Sequence, residues 1–216
     1  MKTDAQLQQD VTAELNWDPA VDAARIGVTA KEGVITLSGH VGSFAQKWNA
    51  ERAAQRVFGV KALAVEIDVT LSGSSTRNDA DIGRTAENVL QWTTDVSDAV
   101  KVMVEKGWVT LTGALDWEYQ RQEATAAVRH LMGVVGVSDQ ITVKPHASAS
   151  VVKSDIEAAL RRRAQTDGQK ISVHVHGGDV TLSGSVHSWS ERDLAKNSAW
   201  GAPGVSNVID KMSMAY

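Results

Sequence analysis

Gly33-Val34-Ile35-Thr36-Leu37-Ser38-Gly39, Gly107-Trp108-Val109-Thr110-Leu111-Thr112-Gly113 and Gly178-Asp179-Val180-Thr181-Leu182-Ser183-Gly184 are three copies of one pattern. Twenty residues after the last glycine of each copy stands a Gly-Val pair: Gly59-Val60, Gly133-Val134 and Gly204-Val205. The pattern recurs after 74 and then 71 residues. A fixed period of this kind defines the unit that folds, so the chain reads as three small tandem domains. Their expected bounds are 1–70, 78–144 and 150–216. The stretches between them, 71–77 and 145–149, have the Ser, Gly and Pro content of linkers.

Working outward from the pattern gives the fold of one unit. Leu7, Val11 and Leu15 recur every four residues on one helical face, as do Ile82, Ala86 and Leu90, and Ile156, Ala159 and Leu160 mark the third copy. A strand follows near 25–30, 100–104 and 171–175. Its hairpin turn is Glu32-Gly33, Lys106-Gly107 or Gly177-Gly178, residues suited to positive backbone angles. The second strand alternates, with Ile35, Leu37 and Val41 inward and Thr36 and Ser38 outward; Val109, Leu111, Leu115 and Val180, Leu182, Val186 match them. Ser43 to Gln46 and Ser188 to Glu191 have capping-box spacing, and Asp116 is the expected cap in unit two. Alanines dominate the second helix, which suits close packing on a sheet. Gly59, Gly133 and Gly204 are expected to end it, each followed by an apolar valine. A third strand near 63–69, 137–143 and 208–214 completes α-β-β-α-β. The fold class is α+β, three tandem units, each a three-stranded mixed sheet with helices packed on it. Gly33, Gly39, Gly59, Gly107, Gly113, Gly133, Gly178, Gly184 and Gly204 are read as structural.

Composition narrows the function. The 216 residues carry a net charge of −4 and no cysteine. Units of this size bury a marginal core, and disulfides cannot reinforce it, so docking between units is expected to do so. Residues 1–70, 71–147 and 148–216 hold 7, 7 and 8 basic residues against 9, 10 and 7 acidic ones. No unit has the basic stripe of a nucleic-acid binder. No apolar stretch could span a bilayer, and the polar N-terminus lacks an export signal. A cytoplasmic location is expected, or a periplasmic one if a signal was removed. Nucleophile elbows, phosphate loops and zinc-protease motifs are all missing, and no enzyme activity or cofactor is expected.

The element order, the G-x-V-T-L-[ST]-G strand and the later Gly-Val together resemble the BON domain, named for bacterial OsmY and nodulation proteins. The resemblance covers nearly the whole chain three times over. It implies a bacterial, non-enzymatic domain linked to osmotic or envelope stress, with binding to phospholipid or membrane surfaces as its role.

Candidate binding residues recur with the repeat. Phe44, Trp117 with Tyr119, and Trp189 lie at the start of the second helix, and Lys47, Arg121 and Arg192 follow one turn later. The rings suit insertion into a lipid interface or packing on a neighbouring unit. The cations suit a lipid phosphate near a helix N-terminus or a solvated helix face. His174, His176, Asp179 and His187 are weak metal-ligand candidates in unit three. The readings in order are a peripheral phospholipid-surface protein, a soluble protein-interaction or chaperone-like module, and ion binding through the unit-three histidines.

Overall fold

The computed structural model describes residues 2–93, 96, 99–144, 149–163 and 171–215. Unit one comprises α1 (Asp4–Trp17), β1 (Ile26–Lys31), β2 (Val34–Val41), α2 (Phe44–Arg56) and β3 (Ala62–Val69). Unit two repeats it as α3 (Asp79–Trp92), β4 (Val100–Glu105), β5 (Trp108–Leu115), α4 (Glu118–Arg129) and β6 (Gly136–Val143). Unit three follows as α5 (Ala149–Arg163), β7 (Ile171–His176), β8 (Asp179–Val186), α6 (Trp189–Trp200) and β9 (Asn207–Met214). In every sheet the repeat strand is central, antiparallel to the strand before it and parallel to the strand after the helix. The chain is α+β, built of three mixed three-stranded sheets with helices packed on them. Helix α5 begins at Ala149, inside the expected linker, and residues 145–148 lie outside the described residues.

Each unit buries its own cluster. In unit one Leu7, Val11 and Leu15 of α1 meet Ile35, Leu37 and Val41 of β2 and Ala50, Ala53 and Ala54 of α2. Units two and three bury the matching residues, except that the place of Ala53 is taken by half-buried Ala127 and by Ser198. In α5 the buried series is Val152, Ile156 and Leu160, whereas Ala159 is half-buried.

The last glycine of the repeat pattern is fixed by its surroundings. Gly39 has φ +125° and pairs with Ile26, and a Cβ there would run into the Arg25 carbonyl oxygen. Gly113 has φ +148° and the same conflict with the Ala99 carbonyl. The hairpin turn is tied down as well. Asp4 of α1 accepts from the Glu32 and Gly33 amides at 2.8 and 3.0 Å, and Asp79 of α3 does so from Lys106 and Gly107 at 2.8 Å each.

Two expectations are corrected. The second helix ends at Arg56, Arg129 or Trp200, before Gly59, Gly133 or Gly204 is reached. These glycines keep positive φ but close a separate turn that buries the following valine. In unit two the cap residue is Trp117 and not Asp116, because Trp117 occupies the register of Ser43 and Ser188. Gln120 Oε1 accepts there from the Trp117 and Asp116 amides at 2.9 and 3.2 Å, while Asp116 pairs with Lys144.

The three units dock through their second helices. Phe44, first residue of α2, packs on the core of unit two. Trp189, first residue of α6, packs on the core of unit one, and its indole N–H donates to the Val60 carbonyl at 2.8 Å. Arg52 of α2 pairs with Asp193 of α6 at 2.8 Å. Arg121 of α4 lies 6.0 Å from the ring of Trp200 in α6. Every unit therefore touches both others. In α4 the position of Phe44 and Trp189 is held by Glu118, which is buried. Burial pushes its carboxyl above the usual carboxylate range, against the pull of Arg121.

Gly113→Ala is expected to cost about 3 kcal/mol or more in denaturant unfolding, as strain and clash combine. Gly73→Ala, where an added Cβ meets nothing within 4 Å, should stay within about 0.5 kcal/mol. Glu118 gives a second test. The unfolded chain releases this proton near about pH 4 and the folded chain only at higher pH. Its contribution to stability is therefore full below that value and lost as pH rises through the folded one. Glu118→Gln should raise Tm at pH 7 and leave it nearly unchanged at pH 4; a lower Tm at pH 7 would contradict this account.

Candidate functional site

The helix-start residues fall into two groups. Phe44 and Trp189 are half-buried between units, in the contacts described above. Trp117 and Tyr119, flanking Glu118, remain 38% and 51% exposed. The cations one turn later are held by the third strand of their own units. Lys47 donates to the Ile67 carbonyl at 2.8 Å. Arg121 pairs with Asp139 at 2.7 Å and Glu118 at 3.3 Å, and Arg192 with Asp210 at 2.6 Å. Asp139 and Asp210 stand in register with Val65, which explains why unit one uses a lysine aimed at a carbonyl. These partners tie the second helix to its sheet.

The unit-three histidines do not converge. His174 and His176 share the exposed face of β7, and Asp179 stands opposite His176 across the hairpin. His187 follows the far end of β8, roughly 26 Å away at the rise of an extended strand, and its Nδ1 sits 3.4 Å from Glu191. No cluster of three such ligands occurs among the described residues. The four candidates do not form one metal site.

A different pair of aromatics is free. Trp17 ends α1 and Trp92 ends α3, 83% and 89% exposed. They occupy the same place in two repeats, two positions past the last buried leucine, Leu15 or Leu90. That shared offset was visible in the sequence once the first helices were aligned. The corresponding end of α5 adjoins residues 164–170, outside the described residues. A second recurring exposed position precedes the Gly-Val turn. Phe58 lies 5.9 Å from the Lys2 ammonium, and Met132 sulfur 3.6 Å from the Arg77 guanidinium.

The junction of the second helices forms a half-open cavity of about 450 Å³. Its wall includes Trp48 and Arg52 of α2, Glu118 and Arg129 of α4, and Lys196 and Trp200 of α6. Arg129 stacks on the Trp48 ring at 3.8 Å, and Arg52 lies 5.6 Å from the same ring. Burial, and then the nearby Arg52 charge, lower the pKa of Arg129.

The chain is similar to several known proteins. Over 120 residues, 52% of the chain, it is 29% identical to osmotically-inducible protein Y of Escherichia coli (strain K12), and spans 60% of that protein's length. It is 25% identical over 128 residues to an uncharacterized protein in the gshII 5′ region of Anaplasma centrale, covering 56% of this chain and 85% of that protein. Among solved structures, CdsD, a structural protein of the type III secretion system of Chlamydia trachomatis, aligns over 96% of this chain and 91% of its own. That alignment has 13% identity and a TM-score of 0.27. No helix among the described residues is long and apolar enough to cross a membrane. The BON domain family matches residues 3–74, 78–145 and 148–216, and the chain belongs to that family, with three BON domains in tandem.

Proposed function

We propose that this chain is a non-enzymatic, stress-associated protein that binds phospholipid surfaces from the side, by shallow insertion of exposed tryptophans. The observation that carries this reading is the recurrence of Trp17 and Trp92 at one place in two repeats, both almost wholly uncovered. Tryptophan favours the membrane–water interface, where its ring is apolar and its N–H stays wet. Family membership and the likeness to an osmotically-inducible protein support the stress association. With a net charge of −4 the protein gains little from anionic headgroups, so apolar burial must provide most of the affinity. Trp117 and Tyr119, and Phe58 and Met132 beside their cations, supply further contacts of the same kind.

A second reading has its own observation. Among the described residues the outer strands of all three sheets pair on one side only, and such edges accept an extended segment of another protein.

Liposome flotation of the full chain, with zwitterionic and anionic vesicles, separates the two. The Trp17→Ala, Trp92→Ala double variant should weaken binding by about tenfold or more, the value of burying two such rings. Undiminished flotation of that variant would remove these residues from the mechanism. Absence of flotation by the parent chain, with suppression of client aggregation, would favour the strand-edge reading.

A further inference from the structure

The cavity where the three second helices meet sets Arg52, Arg129 and Lys196 among Glu118, Asp139 and Asp193, and these acids are not shared evenly among the bases. Asp193 pairs with Arg52, and Asp139 and Glu118 both pair with Arg121. Two cations in the wall remain. Lys196 has no ion-pair partner among the described residues, and neither has Arg129. The Nε of Arg129 is buried and makes no hydrogen bond. A buried donor without a partner costs free energy, and more so on a charged group, so such an atom calls for an acceptor. The ring of Trp48 holds the Arg129 guanidinium by one face at 3.8 Å and leaves its edge to donate. Arg52 lies on the same ring, and burial first, then the Arg52 charge, depress the Arg129 pKa.

We infer that this junction is a binding site for a small phosphate-bearing anion, held between Arg129 and Lys196. Two cations without an ion pair, on two different helices, offer donors to more than one oxygen of a phosphate group, and the wall together with Arg121 carries a net positive charge of one with Glu118 ionised and two with it protonated. The guanidinium edge would donate to two phosphate oxygens and the ammonium to the third. The volume of about 450 Å³ accommodates a phosphate with a small organic remainder against Trp48 and Trp200. The site needs all three units, since Trp48, Arg129 and Lys196 come from different ones. Glu118 lines the same cavity and opposes the anion when ionised, so a raised carboxyl pKa there favours binding.

The test is calorimetric titration of the full chain with glycerol 3-phosphate and with inorganic phosphate, at constant ionic strength in chloride. Saturable binding is expected, weakened about tenfold or more in Arg129→Met and in Lys196→Met, the usual effect of losing a charged hydrogen-bond partner. In phosphate-free buffer Arg129→Met should melt at or above the parent temperature, because a half-buried charge with an unsatisfied buried Nε has gone. A parallel arm uses phosphatidic acid vesicles. Binding to the soluble phosphate assigns a metabolite. Binding to the vesicles alone, lost in the same two variants but retained in Trp17→Ala, Trp92→Ala, assigns a lipid headgroup. No saturable binding in either arm, or binding unchanged in both cavity variants, would overturn the proposal.

Discussion

A unit of about 70 residues sits near the lower limit for an independent core, and two of the three units here help to fill a neighbour. The second helix contributes mainly alanines to its own sheet. Those small side chains let it lie close, but they bury little apolar area. What it adds comes from its first residue, which leaves its own unit and packs on the next. Phe44 does this toward unit two and Trp189 toward unit one, where the indole N–H also satisfies the Val60 carbonyl. That carbonyl belongs to the Gly-Val turn of the repeat. One turn of the repeat thus serves its own domain and receives another.

The third contact of the same kind is chemically different. Glu118 stands where the other two helices start with an aromatic ring, and it is buried beside Arg121 and Gln122. An apolar ring there would fill the space that the cavity occupies. The same substitution brings acids and bases together around Trp48 and Trp200. The array is therefore asymmetric in chemistry, with two seams entered by an aromatic ring and one by a buried carboxyl group.

Much of the fold was legible because the repeat reports each element three times. Alternation in the pattern fixed the central strand, and the spacing of Leu7, Val11 and Leu15 fixed the first helix. Gly39 and Gly113 could be named as structural, although the carbonyl that excludes a side chain appears only in the packed hairpin. The cap in unit two was misplaced by one residue, because Asp116 has cap chemistry and Trp117 has the register. The candidate sites were harder. A sequence shows that an aromatic recurs but not whether another domain covers it, and the docking of Phe44 and Trp189 decides that here. Likewise Lys47, Arg121 and Arg192 look alike along the chain, while their partners Asp139 and Asp210 lie on a strand eighteen residues away. Trp17 and Trp92 were missed because they follow the helical pattern and stand outside it.

Docking between the units underlies both the covered aromatics and the charged cavity, and small-angle X-ray scattering tests it most directly. A closed arrangement of 216 residues has an expected radius of gyration of about 17 Å. Three undocked units strung on their linkers would exceed about 22 Å. The smaller value is the predicted result. The larger one would contradict the shared seams and remove the cavity with them.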